Sequence, residues 1–340
     1  MKVLALEGSY HVTMALFAII IALLLEQVRP LGPGNPATAG MRRWVQWVGG
    51  SVDAGGAHHA WLAWTLAVGV PTALVLSLHW LLMWFGGWPL ALVWSVVVLY
   101  LTLGFRQFSH HFTSIRDALE AGDEERARDL LARWQQVDAS QLPRAEIVRH
   151  VIEYSVLAAH RHVFGVLAWF CIFVMLGFGP AGAVFYRGAQ IAAAFWCRKA
   201  QAADHPVSPA LQEGADRAWH TIDWLPARMT ALGFAIVGSF EDAIDAWRNY
   251  AGVFADGNDG VILSATSGAI GVRLGGVALR PVASELSAQP AGTQEPLRGK
   301  GLPGEEPQSG HLAQVVGLVW RMVALWLLLL VLLTLAHVIG

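Results

Sequence analysis

The chain has 340 residues, of which 55% are hydrophobic and only 14% charged, and its mean hydropathy of +0.47 is far above that of a soluble domain. Composition therefore predicts an integral membrane protein. A formal charge of −2, with no basic stripe carrying interleaved aromatics, predicts no nucleic-acid partner. The two cysteines, Cys171 in an apolar run and Cys197 beside Arg198, lack metal-ligand spacing and predict a reduced protein without disulfides.

The first apolar stretch, Met14 to Leu25, is followed by Ala37-Thr38-Ala39, which could be taken for a signal peptide and its cleavage site. Only Lys2 supplies a basic start, and Glu26 and Arg29 lie between the apolar run and the small residues, so a retained first span is expected. A span needs about 20 mostly apolar residues. Candidates lie at 12–28, 60–85, 88–105, 163–179 and 314–338, with a weaker one at 181–197 that carries Arg187 in its middle. Trp61, Trp64, Trp80, Trp84 and Trp88 fall near the proposed ends, as interfacial aromatics do. Gly86-Gly87-Trp88-Pro89 and Gly177-Phe178-Gly179-Pro180 each read as the turn of a helical hairpin.

If 181–197 crosses, segments 29–59, 106–162 and 198–313 share one side and hold 20 of the 23 Lys and Arg residues, which makes that side cytoplasmic. If it does not, there are five spans and the two large polar segments lie on opposite faces. The expected fold is all-α: a polytopic helical membrane protein of five or six spans with juxtamembrane helical insertions.

Within 106–162, Ile115 to Gly122 reads as a helix closing on glycine, and Asp123 to Trp134 opens another with acids first and bases later. Its alternating charges predict a solvated face with i,i+4 pairs. Residues 281–310, rich in Pro, Gly, Ser and Gln, show no periodicity and predict a flexible tether into the last span. The expected organisation is 1–105 N-terminal transmembrane helices, 106–162 a charged helical hairpin, 163–197 a transmembrane hairpin, 198–280 a helical region bearing motifs, 281–313 a flexible loop and 314–340 a C-terminal transmembrane helix.

Several groups could carry chemistry. Glu146, His150 and Glu153 share one helix face, a spacing that can chelate a cation, although helix-surface ion pairs explain it as well and no metal motif is present. Arg187 inside an apolar stretch faces protein, water or an anionic ligand; snorkelling from a short interfacial helix is the competing reading. Asp223 sits where an N-cap would precede Pro226, and a helix start beside Arg228 is an anion site. Equally, Arg228 could pair with Asp223 or Glu241. Asn258-Asp259-Gly260 precedes the glycine-dense Gly268-Ala269-Ile270-Gly271-Val272-Arg273-Leu274-Gly275-Gly276, whose backbone N–H groups could cradle a phosphate. Close packing of small residues between membrane helices explains the same glycines. No Walker A loop, nucleophile elbow, Rossmann fingerprint or zinc motif occurs.

The glycine-dense stretch, Asp223-Trp224-Leu225-Pro226-Ala227-Arg228-Met229-Thr230-Ala231 and Gly179-Pro180-Ala181-Gly182-Ala183-Val184-Phe185-Tyr186-Arg187, in that company, resemble the CobD/CbiB family of membrane proteins. Ala118-Leu119-Glu120-Ala121-Gly122-Asp123 and Ala127-Arg128-Asp129-Leu130-Leu131 add to the likeness, which covers most of the chain. The resemblance implies a bacterial inner-membrane, multi-pass protein of adenosylcobalamin biosynthesis. Its ligases use ATP and Mg²⁺ to join aminopropanol or its phosphate to a carboxyl side chain of adenosylcobyric acid. It further implies catalytic roles for Glu153, Asp223 and Arg228, and binding of polyphosphate or substrate anions by Arg187, Asn258, Gly271, Arg273 and Gly275. No metal-ligand set is assigned.

The family's Gly-Arg-Asp-Thr element is replaced here by Trp134-Gln135-Gln136-Val137-Asp138-Ala139-Ser140. Its Glu-Asn element retains only Glu153, and the Asn-Thr-Leu-Asp after the Tyr-Arg motif becomes Ala189-Gln190-Ile191-Ala192. The stretch from His160-Arg161-His162 onward looks more like AmpE-type proteins, which are linked to β-lactamase regulation. Two functions therefore compete: an amide-forming ligase with a corrinoid substrate, and a non-enzymatic membrane modulator with a regulatory protein partner. Membrane lipid is a partner in both, and the oligomeric state stays open. A transporter would need paired discontinuous helices or a ladder of buried charges, neither of which the sequence shows.

Overall fold

The computed structural model describes residues 2–32, 35–135, 138–200, 207–254, 256–276 and 303–339. Apart from one isolated parallel bridge between Val272 and Glu305, their regular structure is helical, as the composition predicts. In chain order the helices are α1 (Lys2–Val28), α2 (Pro36–Val52), α3 (Ala57–Thr102), α4 (Phe105–Glu120), α5 (Glu124–Gln135), α6 (Arg144–Ala159), α7 (Gly165–Met175), α8 (Ala181–Ala200), α9 (Pro209–Val237), α10 (Phe240–Tyr250), α11 (Gly257–Ile270) and α12 (Ser309–Ile339). A π-turn, His160–Phe164, joins α6 to α7.

Among the described residues, three helical stretches are long and apolar enough to cross a membrane: Ala57–Thr102, Arg144–Met175 and Ser309–Ala336. Thr13–Val28 is a shorter apolar one. On α3, Leu74, Trp84 and Phe85 are 66%, 85% and 78% exposed. So dense an apolar face finds its complement in lipid hydrocarbon, and the protein is a membrane protein. Residues 281–302 of the expected flexible loop lie outside the described residues.

The described chain forms two compact units. The first comprises Met1–Arg106, Arg161–Pro226 and Trp326–Gly340. Its α3 is a hairpin: backbone geometry breaks at Gly87, with φ 65° and ψ −160°, a conformation that a side chain would resist. The Trp94 indole N–H returns to the Val75 carbonyl at 3.3 Å and pins the two arms together. The second expected turn also forms, with the Phe178 N–H reaching back to the Phe173 carbonyl at 2.8 Å between α7 and α8. Within this unit α8 packs on α3 and α7, and α1 and α2 pack on α3.

Helix α9 corrects one expectation. The chain does not start a helix at Pro226; α9 runs straight through it, so Asp223 is no N-cap. A proline leaves the carbonyl four residues back without its intrahelical donor. The Trp169 indole N–H supplies the replacement, donating to the Ile222 carbonyl at 3.0 Å.

The second unit comprises Gln107–His160 and Ala227–Leu325. Helix α5 carries Glu124 and Glu125 in its first turn and Arg133 in its last, each end matched to the helix dipole. Ion pairs Arg116–Glu120 and Arg128–Glu124 lie along α4 and α5 with i,i+4 spacing. Helix α6 departs from that pattern: Ile147, Val148, Val151, Ile152 and Val156 are fully buried, and its charges face one another instead of water. Its apolar run continues through the π-turn into α7. Helix α11 is buried along nearly its whole length by α10 and by α6. Gly268 permits the α10 contact, because a Cβ there would meet the Asp242 carbonyl. One glycine of the stretch thus serves close helix packing, between α10 and α11.

Candidate functional site

In the second unit, α6 presents Glu146, Arg149 and Glu153 one helical turn apart. Arg149 is 3% exposed. Its Nη1 donates to Glu153 Oε1 and Oε2 at 2.9 and 3.1 Å, while Nη2 and Nε donate to Glu146 Oε2 at 2.6 and 3.0 Å. The segment after α11 closes over this clamp. The Gly275 N–H donates to Glu153 Oε1 at 2.6 Å, and a Cβ on Gly276 would stand 3.0 Å from Arg149 Cζ. Glu153 therefore ties two segments 122 residues apart in sequence. The spacing that could have chelated a cation is organised around an arginine, with His150 Nε2 a further 2.9 Å neighbour of Nη2.

Gly271 ends α11 in the left-handed conformation, φ 67°, so its role is that of a C-cap. From there the chain pairs with residues 304–305: the Arg273 N–H donates to the Glu305 carbonyl at 2.9 Å and the Glu305 N–H to the Gly271 carbonyl at 2.8 Å. The exposed Arg273 side chain reaches the Gly304 carbonyl at 3.3 Å.

Asn258 lies at the other end of α11, about 20 Å from Gly271 at the rise of an α-helix. Asp256 caps this end, accepting from the N–H groups of Asn258 and Asp259 at 2.9 and 3.3 Å. Arg228, which α9 carries mid-helix, donates from Nη1 to the buried Asn258 Oδ1 at 2.6 Å. The expected neighbourhood of a helix N-terminus and Arg228 thus exists, but the helix is α11. The Asp256 carboxylate already matches the partial positive charge of the helix start, so the half-buried Arg228 guanidinium is what this neighbourhood offers an anion.

Asp223 and Arg187 belong to the first unit. Asp223 is 1% exposed and accepts a hydrogen bond from the Tyr186 hydroxyl at 2.7 Å. Arg187 is buried on α8, and its Nη1 donates to Gln190 Oε1 at 2.8 Å. Among the described residues no group of three His, Cys, Asp or Glu side chains could hold a metal ion.

The structure thus brings together Glu153 with Gly275, and Arg228 with Asn258, and gives Gly271 a capping role. Sequence reasoning missed Arg149, Gly276 and Tyr186. Arg149 was findable, since an arginine three residues after Glu146 and four before Glu153 is positioned to pair with both.

Comparison with known proteins agrees with the resemblance. The family described as CobD/Cbib protein matches residues 15–300. Cobalamin biosynthesis protein CobD of Stutzerimonas stutzeri is 31% identical over 319 residues, covering 92% of this chain and 96% of that protein. Cobalamin biosynthesis protein CobD of Chromobacterium violaceum is 32% identical over 187 residues, covering 55% of this chain and 57% of that protein. No solved structure matches.

Proposed function

The chain belongs to the CobD/CbiB protein family, and from that premise we propose that it is a multi-pass protein of the bacterial inner membrane that forms an amide on a corrinoid carboxyl side chain in cobalamin biosynthesis. The observation that carries this reading is the relation, over nearly the full length of both chains, to a protein named for cobalamin biosynthesis. Apolar helices α1, α12, the two arms of α3 and the Arg144–Met175 stretch supply the membrane passes.

Amide formation on a carboxylate needs activation of a poor electrophile and a site that tolerates its anions. ATP with Mg²⁺ supplies that activation when bound. The half-buried Arg228 guanidinium fits a phosphate by charge, and Asn258 holds the Arg228 side chain in place, while the first N–H groups of α11 are already taken by Asp256. The fit to Mg²⁺ is narrower, because the protein offers no cage of acidic ligands among the described residues. That agrees with an ion that is held largely through phosphate oxygens and water. Glu153 and Arg149 do not fit a role at the reacting atoms, since each satisfies the other; they hold α6 against the segment that follows α11.

The test is complementation of a bacterial strain lacking its adenosylcobinamide-phosphate synthase on medium where growth requires corrinoid assembly. The wild-type chain restores growth, and Arg228→Ala, present in the membrane at equal amount, does not. Failure of the wild type, with membrane expression confirmed, overturns the reading.

A further inference from the structure

Arg187 is 8% exposed, yet its guanidinium, with five N–H donors, makes one hydrogen bond, to Gln190 Oε1, and no carboxylate pairs with it among the described residues. Its electrostatic neighbours are the Tyr186 phenol and Arg42, which is of like sign and also has no carboxylate partner among the described residues. A buried cation without a counter-ion is costly, and in a membrane protein such a residue is retained for a task.

Beside Arg187 lies a cavity of about 190 Å³ where α2, both arms of α3 and α8 meet. Met41, Val75, Trp94, Val98, Val184 and Ile191 form most of its wall, and Arg187 is its one charged residue. Of the polar side chains in the wall, Trp94 donates to the Val75 carbonyl and Thr102 to the Val98 carbonyl, and the third is the Thr38 hydroxyl. The space equals roughly six waters of liquid volume. It falls below the roughly 300–1,000 Å³ of a pocket that engulfs a drug-sized ligand, so it encloses only a small group, such as a phosphate and the first atoms attached to it.

We propose that this cavity binds a phosphate ester with an aliphatic stem, the phosphate on the Arg187 guanidinium and the first methylenes against Val98, Val184 and Ile191. The ester supplies the missing counter-ion, the planar guanidinium matches two phosphate oxygens, and the apolar wall takes the stem. The site stands on the first unit alone and does not depend on the ligase reading. A membrane phospholipid and a soluble alkyl phosphate present the same chemistry.

The full chain in neutral detergent is followed by thermal unfolding while titrated separately with dioctanoyl phosphatidylglycerol, dioctanoylglycerol and butyl phosphate. Phosphatidylglycerol raises the wild-type midpoint by several degrees and dioctanoylglycerol, which lacks the phosphate, does not. Arg187→Gln, which removes the charge, and Val184→Phe, which fills the cavity and keeps the charge, each raise the half-saturating concentration at least tenfold. Stabilisation by butyl phosphate with the same dependence on Arg187 identifies a site for the phosphate ester from either source; stabilisation by phosphatidylglycerol only identifies a lipid site. Equal half-saturation of wild type and Arg187→Gln, or of wild type and Val184→Phe, overturns the proposal. Should a variant not fold, the wild type decides: equal stabilisation by the lipids with and without phosphate overturns it as well.

Discussion

Arg149 in the second unit and Arg187 in the first are both buried on helices, 3% and 8% exposed, and they are accommodated by opposite means. Arg149 is held between two carboxylates, and the backbone at Gly276 closes over it. Arg187 has a neutral glutamine and a cavity. The first arrangement is complete without a ligand, so it is structural; the second is complete only with an anion. Burial of an arginine therefore does not by itself mark a binding site. What separates the two is whether the protein satisfies the charge internally.

The largest effects should separate the two arginines. Glu153→Ala takes from the buried Arg149 one of its two carboxylates, leaving the half-exposed Glu146, and releases the Gly275 N–H, and should cost about 3–5 kcal/mol, measured by thermal unfolding in detergent. Arg187→Met, which removes a charge that has no internal partner, should cost less than about 1 kcal/mol or stabilise the ligand-free protein. Equal losses from the two would dissolve the distinction. Gly276→Ala comes next: its Cβ must push on the Arg149 guanidinium from a backbone with φ 157°, and a loss of about 1–3 kcal/mol is expected. If that loss persists in an Arg149→Met background, the strain lies in the backbone and not in the clamp.

The smallest effect concerns a carboxylate satisfied at the surface. Burial raises the Asp53 pKa, but the Ser208 hydroxyl and N–H, the Gly55 N–H and the nearby His59 charge outweigh it, so the group lies below its ordinary value. A depressed carboxylate stabilises the fold above the unfolded value of about 3.9 and loses that contribution as pH falls through the folded value. Ser208→Ala should therefore lower the unfolding midpoint near neutral pH, and its gap to wild type should narrow below pH about 4. A gap independent of pH would place the effect of Ser208 in its capping of α9 and not in its bond to Asp53.

Much of the architecture is legible in sequence because it is local. Glycine and proline mark the turns at Gly87 and at Gly177 to Pro180, and Gly122 closes α4. The family itself is legible from motifs such as Phe185-Tyr186-Arg187. The continuity of α9 is not, because Pro226 breaks the ladder by local rules and the compensating donor, Trp169, is 53 residues away. Charges on α6 read as a chelating set or as helix-surface ion pairs because spacing alone does not report burial; the apolar neighbours Ile147, Val151 and Ile152 carry that information. The link from Gly275 to Glu153 joins distant segments and has no local signature. The stretch from His160-Arg161-His162 onward suggested a regulatory relative, yet both related proteins named above carry the cobalamin description.

The most direct test of the central claim is product formation by the purified full chain. Adenosylcobyric acid, aminopropanol phosphate, ATP and Mg²⁺ are incubated with the protein in detergent, and the corrinoid is followed by mass spectrometry. The expected result is the mass of the condensed amide, dependent on ATP and reduced at least tenfold by Arg228→Ala in folded protein. Unchanged adenosylcobyric acid with folded wild-type protein would contradict it.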